Sequence, residues 1–183
     1  MNSKFYHQER DAFFPLIFSA YIHGMNSIAM NTISIIDYQP EFRPHFERIN
    51  KAWVEQYFSL EPFDIAQLEN PQEHILDKGG YIIFAKENDQ IFGTVALIPS
   101  KEVGSFEMIK MGVDPKGQGR GIGFLLGKAI LDKAKSIGAK KVELFSSSKL
   151  VPAIHLYKKL GFREVEMGCG QYGRCNVKME ISL

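Results

Sequence analysis

A chain of 183 residues that is 45% apolar and 23% charged is long enough for one globular domain with a sizeable core. Twenty-two Lys and Arg against 21 Asp and Glu leave almost no net charge, which excludes a polyelectrolyte surface for nucleic acid. Two cysteines, Cys169 and Cys175, are too few for a disulfide scaffold and lack metal-site spacing, so no metal is expected and a reducing cytoplasm is the default.

In chain order, 12-AFFPLIFSAYI-22 is apolar but follows Glu9 and Asp11, where a signal peptide needs positive charge, and Pro15 interrupts a run too short to span a bilayer. Residues 1–30 therefore read as an appendage, disordered or preceding a misassigned start, and the folded domain as 31–183. Alternation over 32-TISIIDYQ-39 predicts a strand. Helical spacing over 41–58 predicts a helix with Pro44 in its first turn, and 59–76 reads as a loop, a short helix and a further turn starting at Pro71. Strands over 81–88 and 91–99 flank Asp89-Gln90 as a hairpin, and a third strand covers 105–113. A helix over 121–137 carries Ile122, Leu126 and Ile130 on one stripe and is closed by Gly138. A strand over 141–147 precedes a helix over 152–160, with Pro152 as its first residue and Gly161 as its stop. Strands over 162–167 and 176–183 end the chain. Without strict alternation, the expected class is α/β in the broad α+β sense, a mixed sheet flanked by helices.

The stretch 114-DPKGQGRGIG-123 places Gly117, Gly119, Gly121 and Gly123 at every second position before a helix. Glycine weakens a helix start, so its crowding there implies that something approaches the backbone closely. A strand, a glycine turn and a helix N-terminus form an anion cradle of free N–H groups. Two phosphate loops are excluded by spelling: Gln118 stands where a Walker loop needs Lys, and Ile122, Phe124 or Leu126 falls on the last glycine of each dinucleotide register.

The pattern that fits is Q-x-x-G-x-G at Gln118, Gly121 and Gly123, after Val113 and Pro115. It resembles the acyl-CoA motif of the GNAT superfamily of N-acetyltransferases. A second segment, 153-AIHLYKKLGF-162, is similar to that superfamily's A-x-x-L-Y-x-x-x-G-F run, and the order of elements from Met30 to Leu183 matches too. Two stretches, 107–123 and 172–183, look like bacterial members of unassigned substrate. The resemblance implies a GNAT-like, mostly antiparallel central sheet, splayed at an acyl-CoA cleft by a bulge near Lys110 or Met111.

It also implies acetyl-CoA as co-substrate, bound by Met111, Val113, Gln118, Gly119, Arg120, Gly121, Ile122 and Gly123. Arg120 and Lys116 would add charge beside the pyrophosphate, and a Cβ at Gly121 or Gly123 would hold the phosphates off. Tyr157 matches the general acid, and Glu107, on the strand beside the thioester, is the candidate base. Many members carry Asn where Leu150 stands, so Ser146, Ser147 or Ser148 would supply that contact, or the backbone alone. The acceptor, a small-molecule or peptide amine, would lie between the region from Trp53 to Asp64 and the loop 168-GCGQYGRC-175, where Tyr172 and Arg174 are the candidate substrate-binding residues and Arg could clamp a carboxylate. No nucleic acid or membrane partner is implied, and a homodimer stays open. The reading against catalysis is an acyl-CoA-binding sensor without turnover.

Overall fold

The structure is a computed structural model and describes residues 32–167, 173 and 175–183. The reading of residues 1–30 as an appendage lies outside them. Seven strands form one sheet: β1 (Ser34–Asp37), β2 (Tyr81–Glu87), β3 (Gln90–Pro99), β4 (Ser105–Val113), β5 (Lys141–Ser146), β6 (Arg163–Val165) and β7 (Val177–Ser182). Their order is β1-β2-β3-β4-β5-β7-β6, antiparallel at every step except β4 beside β5. Among the described residues four α-helices flank the sheet: α1 (Arg43–Tyr57), α2 (Pro62–Glu69), α3 (Ile122–Ser136) and α4 (Val151–Lys159). The mixed, mostly antiparallel sheet flanked by helices is the expected class.

Strand alternation sends neighbouring residues to opposite faces, and the sheet is buried on both. On one face Ile82, Phe84, Ala96 and Ile109 pack with Phe46 and Ile49 of α1 and Leu68 of α2. Phe84 is the hub, with Phe46 and Phe42 meeting it edge-on at 6.4 and 5.6 Å between ring centroids. On the other face Ile83, Val95, Leu97, Met108 and Leu144 pack with Ile122, Leu126 and Ile130 of α3. Removing such a side chain from water stabilises by roughly 1.5–3 kcal/mol.

The predicted elements are present with shifted ends. The strand expected over 32–39 is paired only from Ser34 to Asp37. A tight turn at Pro40–Phe42 precedes α1, with Pro44 in its first turn. Pro71 caps a wide helical turn at Gln72–Leu76. Pro152 is the second residue of α4, since Val151 already lies in the helix. The strand expected over 162–167 shrinks to three residues because Phe162 turns into the core. Gly138 and Gly161 close α3 and α4 at φ +79° and +99°.

Two irregularities make the cleft. Thr94 faces Gly112 while Ala96 faces Ile109, so two steps on β3 answer three on β4. The extra residue falls at Lys110–Met111, where the bulge was expected, and Lys110 takes φ +52°, rare for a side chain that is not glycine. In addition, β4 and β5 share only three rungs, ending at Glu107 opposite Glu143. Beyond that rung β5 stays with β7 as far as Ser146, and β4 runs on to Val113 without it.

Candidate active site

The gap between the parted strands is a cavity of about 530 Å³. Its floor is β4, one wall is β5 with the start of α4, and its far end is the glycine turn ahead of α3. Met111, Val113, Gln118, Gly119, Gly121, Ile122 and Gly123 border it, as do Glu107 and Tyr157. Residues 50 positions apart are thereby brought to one cleft. Tyr172 and Arg174 lie outside the described residues.

The glycines divide into two kinds. Gly119 and Gly121 hold φ of +76° and +75°, and a Cβ on either would project into open space. They bend the chain so that it enters α3 with its first amides, those of Ile122 and Gly123, lacking an acceptor within the helix. Gly117 and Gly123 serve packing. A Cβ on Gly117 would meet Ile122 Cδ1 at 3.0 Å, and one on Gly123 would meet Leu156 Cδ2 of α4 at 3.0 Å. Gly123 thus makes room for α4 as well as bordering the cavity.

Arg120 does not border the cavity. Its guanidinium donates to Glu87 at 2.6 Å and lies over the Phe92 ring at 5.0 Å, so the charge expected beside the cradle is spent on β2. Lys116 does not border it either. The open turn, its free amides and the cavity leading from it along β4 fit an anionic head group with an extended arm.

Glu107 and Tyr157 differ in electrostatics. Glu107 is buried, and burial together with the neighbouring Glu143 carboxylate pushes it up to about 7, while Lys110 and Lys178 pull the other way. At neutral pH a large share of it can accept a proton. Tyr157 packs against Phe162 with centroids 6.1 Å apart. Burial, then Cys175 beside it, pushes the phenol up to about 12, so it carries its proton throughout the neutral range.

At the Leu150 position no side chain caps α4. Ser146 and Ser147 are buried and border the cavity. Ser148 is engaged elsewhere: its amide donates to Asn176 Oδ1 at 2.8 Å and its hydroxyl accepts from Asn176 Nδ2 at 3.0 Å.

Of the region from Trp53 to Asp64, Trp53 and Phe58 border the cavity with Tyr57 between them. The Trp53 indole N–H donates to Asn50 Oδ1 at 3.1 Å, which fixes the ring, and Asn50 in turn donates to the Phe46 carbonyl. A Cβ on Gly112 would meet Trp53 Cδ1 at 3.1 Å, so α1 crosses β4 at its glycine. Asp64 instead holds Lys110 at 2.6 Å. Sequence reasoning missed that pair and missed Glu143, because a helix packed on a strand and a strand pairing that join residues 36 or more positions apart leave no local pattern. Among the described residues no cluster of His, Cys, Asp and Glu is suited to a metal ion, and no helix is long and apolar enough to cross a membrane.

Comparison with known proteins agrees with the cleft. The chain is 32% identical over 123 residues to an uncharacterised N-acetyltransferase of Schizosaccharomyces pombe, covering 63% of this chain and 76% of that one. It spans less than half the length of several other curated relatives that it matches. Its fold superposes on a GNAT-family acetyltransferase from Staphylococcus aureus with a TM-score of 0.75 at 23% identity, covering 82% of this chain and 99% of that one. It also superposes on an acetyltransferase of Salmonella typhimurium solved with acetyl-CoA, with a TM-score of 0.67 at 17% identity, covering 83% and 94%. The family model for the acetyltransferase (GNAT) family matches residues 43–162, from the start of α1 to the end of the second motif. That span takes in the bulge, the splay and the glycine turn together, and the chain belongs to the GNAT family, as an acyltransferase that works with acetyl-CoA.

Proposed function

We propose that this chain moves an acetyl group from acetyl-CoA to a primary amine by direct attack of the amine on the thioester. Residues 31–183 carry the activity, and the first thirty are an appendage to it. Bound acetyl-CoA supplies an activated acyl group. The chain supplies the rest: amides at 119–123 for the pyrophosphate, the edge of β4 at Met111 and Val113 for the extended arm, and backbone N–H groups at the bulge as donors for a carbonyl oxygen.

Glu107 takes the amine proton, directly or through water, and Tyr157 gives a proton to the departing thiolate. Donation from a phenol near 12 to a thiol of ordinary pKa about 8.5 is uphill, so Tyr157 assists without being indispensable. The acceptor enters beside Trp53, Tyr57 and Phe58, with Tyr172 and Arg174 as its polar partners. A small amine, an amino acid or a peptide terminus fits these roles.

The observation that carries the reading is the end of pairing between β4 and β5 at Glu107, which puts a carboxylate able to act as base near neutrality at the mouth of the splay. The test is thiol release from acetyl-CoA against a panel of amines, amino acids and peptides. Release with at least one acceptor, greatly reduced in Glu107→Gln, supports it. Acetyl-CoA binding with no release from any acceptor would make the chain a sensor.

A further inference from the structure

Behind the cleft lies a second, smaller hollow of about 290 Å³, bordered by Ser100, Lys101, Glu102, Glu143 and Lys178. Glu107 borders both hollows, so one carboxylate stands between the acyl-transfer cleft and a charged chamber. The reason lies in the register. Glu107 and Glu143 are partners on the last rung that β4 and β5 share. Two carboxylates opposed on a sheet repel unless one is neutralised or protonated.

Here neutralisation goes to Glu143 alone. Lys178 Nζ of β7 lies 2.8 Å from Glu143 Oε2, and the Ser100 hydroxyl donates to Glu143 Oε1. Burial pushes Glu143 up, but these hydrogen bonds outweigh it and hold its carboxyl below the usual range. Glu107 has no ion pair among the described residues. The neighbouring cations are committed, Lys110 to Asp64 at 2.6 Å and Lys141 to Glu102 at 2.5 Å. One member of the rung is a fixed anion and the other is free to gain and lose a proton.

We propose that Glu143 and Lys178 are positioning residues of the acetyl transfer, acting through Glu107 from this second chamber. The proposal rests on the reading of Glu107 as the base. As the amine nitrogen adds to the thioester carbonyl and the C–S bond breaks, the amine proton passes to a Glu107 oxygen and the departing thiolate takes a proton from Tyr157, which regains one from solvent. Glu107 then returns it to water in the chamber and is a carboxylate again, without the proton crossing the cleft. Glu143 holds the base strong by repulsion, and Lys178 keeps Glu143 ionised while limiting that effect. The other groups around Glu107 are Lys110 on its own strand, Lys101 and Glu102 from the β3–β4 turn, and Lys149, Tyr157 and Cys175 across the cleft. None of these is altered by the variants below.

The test titrates Glu107 itself. Carboxyl 13C resonances are followed from pH 4 to 9 in protein labelled at glutamate, with Glu107→Gln identifying the signal. Glu143→Gln removes the repulsion and releases Lys178, so the midpoint falls by about half a pH unit or more. Lys178→Met removes the opposing cation, so the midpoint rises. Paired measurements of kcat/KM against pH, with whichever amine in the panel gives the fastest thiol release, move their acid limbs in the same opposed directions. Midpoints that stay put, or that move together, overturn the proposal while leaving Glu107 as base. An acid limb that survives in Glu107→Gln overturns both.

Discussion

The Lys110 ammonium and the Asp64 carboxylate lie 2.6 Å apart, with side chains 4% and 1% exposed, and they tie the bulge of β4 to α2. A residue at φ +52° is costly unless its surroundings hold it, and this pair is one such restraint. Removing one partner of a buried pair strands a charge and costs about 3–5 kcal/mol. Lys110→Met therefore lowers stability by that order in urea unfolding, and Lys110→Met with Asp64→Asn recovers part of the loss. A double variant no more stable than Lys110→Met would show that the lysine acts by something other than its charge.

Glu107 links activity to stability through one proton. Its folded pKa, about 7, is raised above that of an unfolded glutamate, so its contribution to stability is fully present below about 4.5 and is lost as pH rises through 7. Glu107→Gln should thus melt above the wild type at pH 8, by an amount on the order of 2 kcal/mol. The gap closes by pH 5, where the wild-type residue is protonated. Activity runs the opposite way, with wild-type kcat/KM falling below pH 7. A melting temperature for Glu107→Gln equal to wild type at pH 8 would contradict the raised pKa.

Tyr157→Phe keeps the ring that packs on Phe162 and loses only the hydroxyl. We expect the melting temperature to hold and kcat to fall about 10- to 100-fold, at the low end of what general acids supply. Unchanged kcat would restrict Tyr157 to packing.

The architecture was legible where physics is local. The helix stripe at Ile122, Leu126 and Ile130, the stops at Gly138 and Gly161 and the hairpin follow from spacing and turn chemistry. The hairpin's turn falls at Asn88-Asp89, one residue before the expected Asp89-Gln90, because Gln90 already pairs with Glu87. The bulge near Lys110 came from family resemblance, since nothing in 108-MIKMGV-113 announces it. What escaped depends on pairings set by the whole sheet. Asp64 accepts from the Glu61 amide in the capping of α2, and its burial against Lys110 depends on how α2 lies over β4. Arg120 looked like a phosphate ligand because it stands in the turn, but Glu87, on β2, claims it. Gly123 looked like a residue of the cradle alone, and its missing side chain also makes room for Leu156 of α4.

Whether the turn ahead of α3 grips the diphosphate of CoA, as proposed, is tested most directly by a thermal-shift titration with acetyl-CoA on wild type and Gly121→Asn. Asparagine tolerates the left-handed φ of +75° found there, and its side chain would project into the open space over the turn. The variant is therefore expected to fold with a melting temperature near wild type and to block the cradle. Wild type should gain stability with rising acetyl-CoA and the variant should gain little. Equal protection of both proteins would show that the turn does not hold the diphosphate.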